Sequence, residues 1–297
     1  MRGITRRSFG VEAARVGVSP KWRAAAMILL VLVVAQLSAF GLLILRTSEV
    51  ERRYEDAKLA LQTLTDEYNR WRDAYQALRR AVNQRCCLEN PSTFVTPGDS
   101  AVSQLVSRLT LGGWSDPRDS GEFWTETLTL YSWVTDNVEY VEDGIYPVLP
   151  EEPAWGVEYV EEVWQFPNET LRLRRGDCED SSLLLCSMLI NYHEGAYPTE
   201  CIIISGSKGG HMAVQLSTNP GELTILDPAG GYYTKDAWGE PTSRELRAEI
   251  ARWLSYWRAT LGVDVRVIRV FSDSVDVEFE STDEYVEWML GRAYSGA

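Results

Sequence analysis

The sequence predicts a protein of the α+β class, and two observations lead to that prediction. From residue 100 onward, stretches with helical spacing of apolar side chains accompany short stretches that are β-branched or alternating. Gly-rich and Asn-Pro-Gly turns join the extended stretches, which is typical of antiparallel strands, and helices stand before and after them. The expected helices are 123–138, 181–192, 243–261 and 283–292, and the expected strands are 201–205, 211–216, 222–226 and 263–271.

The composition and charge of the chain exclude several classes of protein. Of its 297 residues 45% are hydrophobic and 11% aromatic, which is too apolar for a disordered chain. The net charge of −14 argues against a nucleic-acid partner. Residues 1–23 go against this acidic trend, with six of the 29 basic residues and one of the 43 acidic ones. A basic N-terminal stretch in an otherwise acidic chain calls for an explanation in terms of membrane topology.

Residues 24–45 predict a transmembrane helix. They are 22 residues without a charge, and at about 1.5 Å per residue such a helix spans a hydrocarbon core of roughly 30 Å. Basic residues concentrate before it, so the positive-inside rule places the tail 1–23 in the cytoplasm and the C-terminal domain outside. A cleaved signal peptide is the alternative, but its apolar region is usually about 7–15 residues long. We therefore expect an uncleaved single-pass anchor in the cell membrane.

Directly after the anchor, residues 46–87 predict a long helix. Apolar side chains recur at alternating spacings of four and three, and no Gly or Pro interrupts residues 46–85. This heptad seam consists of Val50, Tyr54, Ala57, Leu61, Leu64, Tyr68, Trp71, Tyr75, Leu78 and Val82. Two interpretations stay open: a coiled-coil stalk that joins copies of the chain into a homo-oligomer, or a helix that packs along its own domain. Breaker-rich sequence after Cys86 and Cys87 marks the start of a globular domain, residues 88–297.

The conspicuous motif of the globular domain is Gly176-Asp177-Cys178-Glu179-Asp180. Glycine before the cysteine and acidic residues after it indicate a helix start, with Asp177 as the expected cap. The unpaired N–H groups at a helix N-terminus favour the thiolate, the nucleophilic form of cysteine, whereas the adjacent carboxylates oppose it. A nucleophilic Cys178 therefore also needs a base.

The chain contains two histidines that could supply that base. His193 closes the helix that follows the cysteine, which is a usual place for a solvated histidine. His211 begins a predicted strand after a Gly-Gly turn, and Asp227 ends the next predicted strand. Since the start of one antiparallel strand lies beside the end of its neighbour, we expect His211 and Asp227 to be cross-strand neighbours. Packing of the Cys178 helix on this sheet then brings together a nucleophile, a base and an orienting carboxylate.

The order Cys178, His211, Asp227, with the cysteine opening a helix and the other two on adjacent strands, resembles the transglutaminase-like superfamily. The motif around Cys178 and the upstream stretches 133–140, 164–167 and 169–171 look like the microbial branch of transglutaminase-like cysteine peptidases. The resemblance covers about residues 120–235. It implies a papain-like core in which the helix bearing the cysteine packs on an antiparallel sheet. It also implies acyl transfer through a thioester, either to water or to an amine.

The acyl-transfer mechanism that this resemblance implies gives each of the three residues a role. Cys178 attacks an amide carbonyl, His211 activates the thiol and protonates the leaving amine, and Asp227 fixes the imidazole tautomer. The Cys178 backbone N–H and a second donor, Gln165 or Trp164, are the candidates for binding the oxyanion. A cysteine peptidase or amidase acting on a protein or peptide at the cell surface is favoured. A protein-glutamine transglutaminase and a catalytically silent binding scaffold are the alternatives.

Metal binding is a separate question, because the proposed chemistry requires no cofactor. Asp177, Glu179 and Asp180 offer hard oxygen ligands beside the nucleophile, so calcium is a candidate, although helix capping and pairing with nearby arginines explain these residues too. No spacing typical of a zinc site is present. Cys186 and Cys201 fit buried thiols or a disulfide with each other, and Cys86 and Cys87 fit a link between subunits or a structural role.

Overall fold

The computed structural model describes residues 20–86, 90–110, 112–115, 119–151 and 156–292, in two compact units that divide between Ala74 and Tyr75. The helices are α1 (Pro20–Asn83), α2 (Ser100–Leu109), α3 (Ser120–Asn137), α4 (Pro167–Leu173), α5 (Cys178–Tyr192), α6 (Leu246–Leu261) and α7 (Thr282–Gly291). The strands are β1 (Glu139–Tyr140), β2 (Tyr146–Val148), β3 (Glu158–Val160), β4 (Arg175–Gly176), β5 (Thr199–Gly206), β6 (Gly209–Leu216), β7 (Glu222–Asp227), β8 (Tyr232–Tyr233), β9 (Arg244–Glu245), β10 (Val265–Phe271) and β11 (Asp276–Glu278).

The first unit consists of α1 as far as Ala74. Its N-terminal section is long and apolar enough to cross a membrane, and its most apolar stretch has no buried residue. This section is compatible with a membrane anchor or a signal sequence. The helix continues from there into the heptad seam without a break, since no proline follows Pro20 within it. The seam side chains from Val50 to Trp71 are exposed in the single chain.

The second unit begins inside α1, at Tyr75. The Tyr75 hydroxyl donates to the Pro150 carbonyl at 2.8 Å. Asn83 makes two hydrogen bonds to the backbone of Leu149: its Nδ2 donates to the carbonyl at 2.7 Å, and its Oδ1 accepts from the N–H at 2.9 Å. The last turns of the long helix therefore belong to the globular unit, whereas the sequence pattern places the boundary between residues 87 and 88.

A seven-stranded sheet forms the centre of the globular unit, in the order β11-β10-β5-β6-β7-β8 with β9 paired to β7. All of its pairs are antiparallel. Helices α2, α3 and α5 pack on one face and α6 and α7 on the other, each with its own apolar core. This is the predicted α+β architecture, in which the helix that begins at Cys178 lies on an antiparallel sheet and a long helix precedes both.

The side chains of β6 alternate between the two cores. Met212 and Val214 belong to the core on the α5 side, and Ala213 belongs to the core on the α6 side. His211 has the same parity as Ala213. His211 therefore lies on the α6 side of β6, and the next residue, Met212, lies on the α5 side.

The expected elements are all present, with ends that differ by a few residues. The helix predicted over 181–192 begins at Cys178, the position that the motif itself indicates. The sequence pattern did not reveal α2, α4 or the short strands outside the expected four. Cys186 and Cys201 are buried as free thiols rather than joined in a disulfide. Cys87 lies outside the described residues.

Candidate active site

Helix α5 starts abruptly at Cys178. The chain reaches it through β4, whose Gly176 pairs with Tyr140 of β1. A Cβ on Gly176 would lie 2.5 Å from the Asp180 side chain, so a larger residue would force the strand away from the helix. Asp177 occupies the N-cap position but makes no side-chain capping hydrogen bond, in contrast to the expectation. Its carboxylate is therefore left for other contacts.

The Cys178 thiol is partly buried and donates a hydrogen bond to Glu179 Oε2 at 3.3 Å. Burial and the carboxylates of Glu179 and Asp177 raise the pKa of the thiol well above its usual range, and the Met212 backbone N–H lowers it by less. Burial and the two carboxylates thus favour the neutral thiol over the thiolate in this arrangement. Ser182 Oγ donates to the Met212 carbonyl at 3.0 Å and joins α5 to β6 beside the sulfur.

His211 and Asp227 form a buried pair, with Nε2 2.8 Å from Oδ1. The last pair between their strands is Val214 with Leu226, so Asp227 reaches His211 diagonally rather than from the directly opposite position. Because Asp227 accepts from Nε2, the neutral imidazole has its lone pair on Nδ1. Within the described residues Nδ1 makes no hydrogen bond, and none joins His211 to Cys178. The structure thus joins two of the three predicted residues and places the third on the helix packed against the same strand.

Four hydrogen bonds hold the Asp227 carboxylate, which is fully buried. Oδ1 accepts from His211 Nε2 and from the Gly230 N–H at 2.7 Å. Oδ2 accepts from the indole N–H groups of Trp253 and Trp257, each at 2.9 Å. Trp257 also packs on the imidazole of His211. These contacts satisfy the carboxylate and orient the imidazole through its Nε2 hydrogen bond and the Trp257 ring packed on it.

Three carboxylates meet beside the thiol. Asp143, Asp177 and Glu179 each place one oxygen within 4.8 Å of the other two. Asp177 Oδ1 and Glu179 Oε1 are buried and have no hydrogen-bond partner in the described chain. Burial raises the pKa of Asp143 to about 6, and burial together with Asp177 raises the pKa of Glu179 far above its usual range. Hard oxygen donors with unpaired lone pairs at this spacing fit a calcium ion.

Asp180, which the sequence grouped with these ligands, makes a different contact. Its Oδ1 accepts from the Gln165 backbone N–H at 2.7 Å, and its Oδ2 accepts from Gln165 Nε2 at 2.5 Å. Burial raises the pKa of Asp180 to about 8. Asp180 faces the chain that enters α4, and Asp143 stands in its place in the carboxylate group.

The side-chain N–H groups of Gln165 and Trp164 already have acceptors. Gln165 Nε2 donates to Asp180 and to the Arg175 carbonyl at 3.3 Å, and Trp164 Nε1 donates to Glu162 Oε1 at 3.2 Å. Neither is free to meet an oxyanion in this arrangement. The Cys178 backbone N–H at the start of α5 is the donor that the helix itself provides.

His193 is not at the site. It follows α5 at the opposite end from Cys178, and a helix of 15 residues at about 1.5 Å per residue separates the two by roughly 20 Å. It is buried rather than solvated: Nε2 pairs with Thr199 Oγ1 at 2.9 Å, and burial lowers its pKa to about 4. His211 is therefore the histidine available to Cys178.

Four residues of the site escaped the sequence analysis. Trp253 and Trp257 are one helical turn apart on α6, and this spacing of two indole donors is a signal that the sequence does carry. Asp143 and Tyr140 lie far upstream of the motif. The phenol of Tyr140 is close enough to interact electrostatically with the thiol: burial and Cys178 raise its pKa to about 12. No local pattern marks either residue as a neighbour of Cys178.

Comparison with known proteins gives only remote likenesses. No protein-family model matches the chain, and no curated protein matches it. Calcium-bound LapG from Legionella pneumophila is 16% identical with a TM-score of 0.31, over 61% of this chain and 91% of that one. A candidate cysteine protease from Cytophaga hutchinsonii is 13% identical with a TM-score of 0.28, over 64% of this chain and 57% of that one. The functional proposal therefore rests on the side chains described above.

Proposed function

We propose that this chain is a membrane-anchored thiol hydrolase of the transglutaminase-like superfamily, a cysteine peptidase or amidase that works outside the cytoplasm. The observation that carries the proposal is the hydrogen bond between His211 and Asp227. His211 lies on β6, and Ser182 joins the helix that begins at Cys178 to the same strand. A buried, oriented imidazole beside a helix-terminal thiol suits nucleophilic acyl transfer. The apolar section of α1 and the basic residues before it support the anchor and its orientation.

The reaction begins when the Cys178 thiol passes its proton to His211 Nδ1. The thiolate adds to the amide carbonyl, the C–N bond breaks, and His211 gives the proton to the leaving amine, which leaves a thioester on Cys178. His211 then takes a proton from water, which attacks the thioester, and the acid leaves as the thiol re-forms. Asp227 keeps its hydrogen bond from Nε2 throughout, and the Cys178 backbone N–H is the donor proposed for the oxyanion.

The thiol must first turn away from Glu179. Asp143, Asp177 and Glu179 would hold a calcium ion, which would supply positive charge against the carboxylates that raise the thiol pKa. Once its hydrogen bond to Glu179 is broken, the Cys178 thiol is free to donate to the lone pair of His211 Nδ1.

Thiol reactivity tests the proposal. The full-length protein in detergent is labelled with iodoacetamide from pH 5 to 9 in excess calcium, beside the variants Cys178→Ala, His211→Ala and His193→Gln. We expect rapid labelling of Cys178 well below the free-thiol pKa of about 8.5. His211→Ala should slow it at least about tenfold, as expected for loss of an activating base, whereas His193→Gln should leave it unchanged.

Two results would overturn parts of the proposal. Labelling of Cys178 that is slow and indifferent to His211 would remove the catalytic pair and favour a binding scaffold. A reactive Cys178 that incorporates dansylcadaverine into protein glutamine faster than it releases peptide fragments would replace hydrolysis by amide exchange.

A further inference from the structure

Residues 139–151 and 156–162 form a segment with an extreme charge, which we name the acidic segment. It contains seven acidic residues and no basic one: Glu139, Glu142, Asp143, Glu151, Glu158, Glu161 and Glu162. It therefore carries half of the net charge of −14 in 20 of the 297 residues. Strands β1, β2 and β3 belong to it.

The acidic segment also exposes apolar side chains that a solvated loop has no reason to carry. Tyr140 is 56% exposed, Ile145 68% and Tyr159 66%, and smaller exposed fractions occur between them. We name this set the apolar strip; its members are Tyr140, Val141, Ile145, Tyr146, Val157 and Tyr159. Several exposed apolar side chains that lie close together in the chain, among charged neighbours, are typical of a surface that binds a macromolecule.

The segment is fixed beside the nucleophile. Tyr140 pairs with Gly176, two residues before Cys178, and the Val141 N–H donates to the Gly176 carbonyl at 3.0 Å. Asp143 joins the carboxylate group that flanks the thiol. The β2–β3 hairpin that follows is held through Leu149, the backbone of which pairs with Asn83. A polypeptide lying along the apolar strip would thus run next to the reacting sulfur.

We propose that the acidic segment is the substrate-docking surface of the enzyme, and that it takes a polypeptide segment in which lysine or arginine side chains alternate with apolar ones. The inference rests on the proposed function and adds the substrate class. The apolar side chains of such a segment cover the apolar strip, and its cations face the carboxylates around that strip. An anionic lipid surface has the wrong charge for this face, and a second copy of the same acidic segment would be repelled.

Binding is tested without catalysis, on the full-length Cys178→Ala protein in nanodiscs of phosphatidylcholine. The probes are fluorescein-labelled peptides built from repeated Lys-Leu-Gly, Glu-Leu-Gly or Lys-Ser-Gly triplets, and fluorescence anisotropy gives the Kd. We expect the Lys-Leu-Gly peptide to bind at least about tenfold more tightly than either of the others, since each lacks one half of the recognition. Empty nanodiscs provide the blank.

Matched variants locate the surface. Tyr159→Ser and Glu158→Lys should each raise the Kd for the Lys-Leu-Gly peptide about fivefold or more. Two control variants lie outside the acidic segment. Trp238→Ser removes an aromatic side chain that is 86% exposed, and Glu287→Lys makes the same charge change as Glu158→Lys but on α7. Both should leave the Kd unchanged. Circular dichroism verifies that each variant is folded.

The outcomes separate docking from catalysis. Equal Kd values for the three peptides, an equal effect of Glu158→Lys and Glu287→Lys, or binding that follows the lipid rather than the protein would each overturn the docking proposal. Selective binding by Cys178→Ala together with no cleavage of the Lys-Leu-Gly peptide by the parent protein would leave the docking surface standing and remove the proposed hydrolase.

Discussion

Trp257 covers the imidazole of His211, with 3.7 Å between the ring centroids and 30° between the ring planes. The same indole donates its N–H to Asp227, which accepts a hydrogen bond from His211 Nε2 at the edge of the imidazole. Trp253, one turn earlier on α6, gives a second N–H to the same carboxylate oxygen. Helix α6 therefore contacts two of the three predicted site residues, although it contains none of them.

Replacing the two indole donors should loosen Asp227 and, through it, the orientation of the His211 imidazole. Trp257→Phe keeps a ring on His211 and loses one hydrogen bond to a carboxylate, which contributes about 1.5–3 kcal/mol. We expect iodoacetamide labelling of Cys178 to slow about tenfold and its pH profile to shift. Trp253→Phe loses the same kind of bond without touching the imidazole as closely, so its effect on labelling should be smaller. Equal labelling rates of Cys178 in Trp257→Phe and in the parent protein would show that the indole only packs on His211 and that its hydrogen bond to Asp227 does not affect reactivity.

Gly230 should tolerate no side chain. A Cβ at this position would lie 2.6 Å from Asp227 Oδ2, so Gly230→Ala displaces the carboxylate or the turn that follows it. We expect a lower Tm and slower labelling of Cys178. Gly98→Ala is the control, since a Cβ there meets nothing within 4 Å. A Gly230→Ala protein as reactive as Gly98→Ala would contradict the geometry.

Without calcium, stability should fall as the pH rises from about 6.5 to 8. Burial raises the pKa of Asp180 to about 8 and that of Glu179 well above its usual range, whereas both ionise near pH 4 in the unfolded chain. The folded state therefore keeps protons that the unfolded state has lost, and each group costs about 1.4 kcal/mol per pH unit in this window. His193 titrates below this window, because its pKa is lowered to about 4.

Calcium should reduce that pH dependence, because ligation favours ionised Glu179. Thermal unfolding at pH 6.5 and 8, with calcium or with EGTA, measures both effects. Asp143→Asn should abolish the rise in Tm on adding calcium, and Asp180→Asn should keep the rise while reducing the pH dependence in EGTA to the part that Glu179 contributes. A calcium response that survives in Asp143→Asn would place the ion elsewhere.

The exposed part of the heptad seam should mediate self-association. Charge at seam positions opposes apolar packing between helices, so Leu61→Glu with Leu64→Glu should convert the full-length protein in detergent to monomer, as measured by light scattering after gel filtration. Leu59 is equally exposed but lies off the seam, and Leu59→Glu should change nothing. A parent protein that is already monomeric would reject the coiled-coil interpretation.

The sequence reveals the parts of the site that local rules govern. A Gly-Asp-Cys-Glu-Asp motif predicts a helix start, and two alternating runs joined by a turn predict that His211 and Asp227 are neighbours. It does not reveal contacts between elements that no local pattern connects, such as Asp143 with Glu179 or the α6 indoles with Asp227. The sequence left two roles open for Asp177, because capping and cation binding use the same residue type at the same position, and the structure shows no side-chain capping hydrogen bond.

The support of Asp227 by α6 has a consequence for biogenesis. Of its four hydrogen-bond donors, only His211 precedes Asp227 in the chain; Gly230, Trp253 and Trp257 are synthesised after it. A nascent chain can thus insert its apolar helix and form most of the sheet while the carboxylate still lacks both indoles. Asp227 would therefore be synthesised well before the two indoles that bind it, and its full set of hydrogen bonds forms only once α6 has been made.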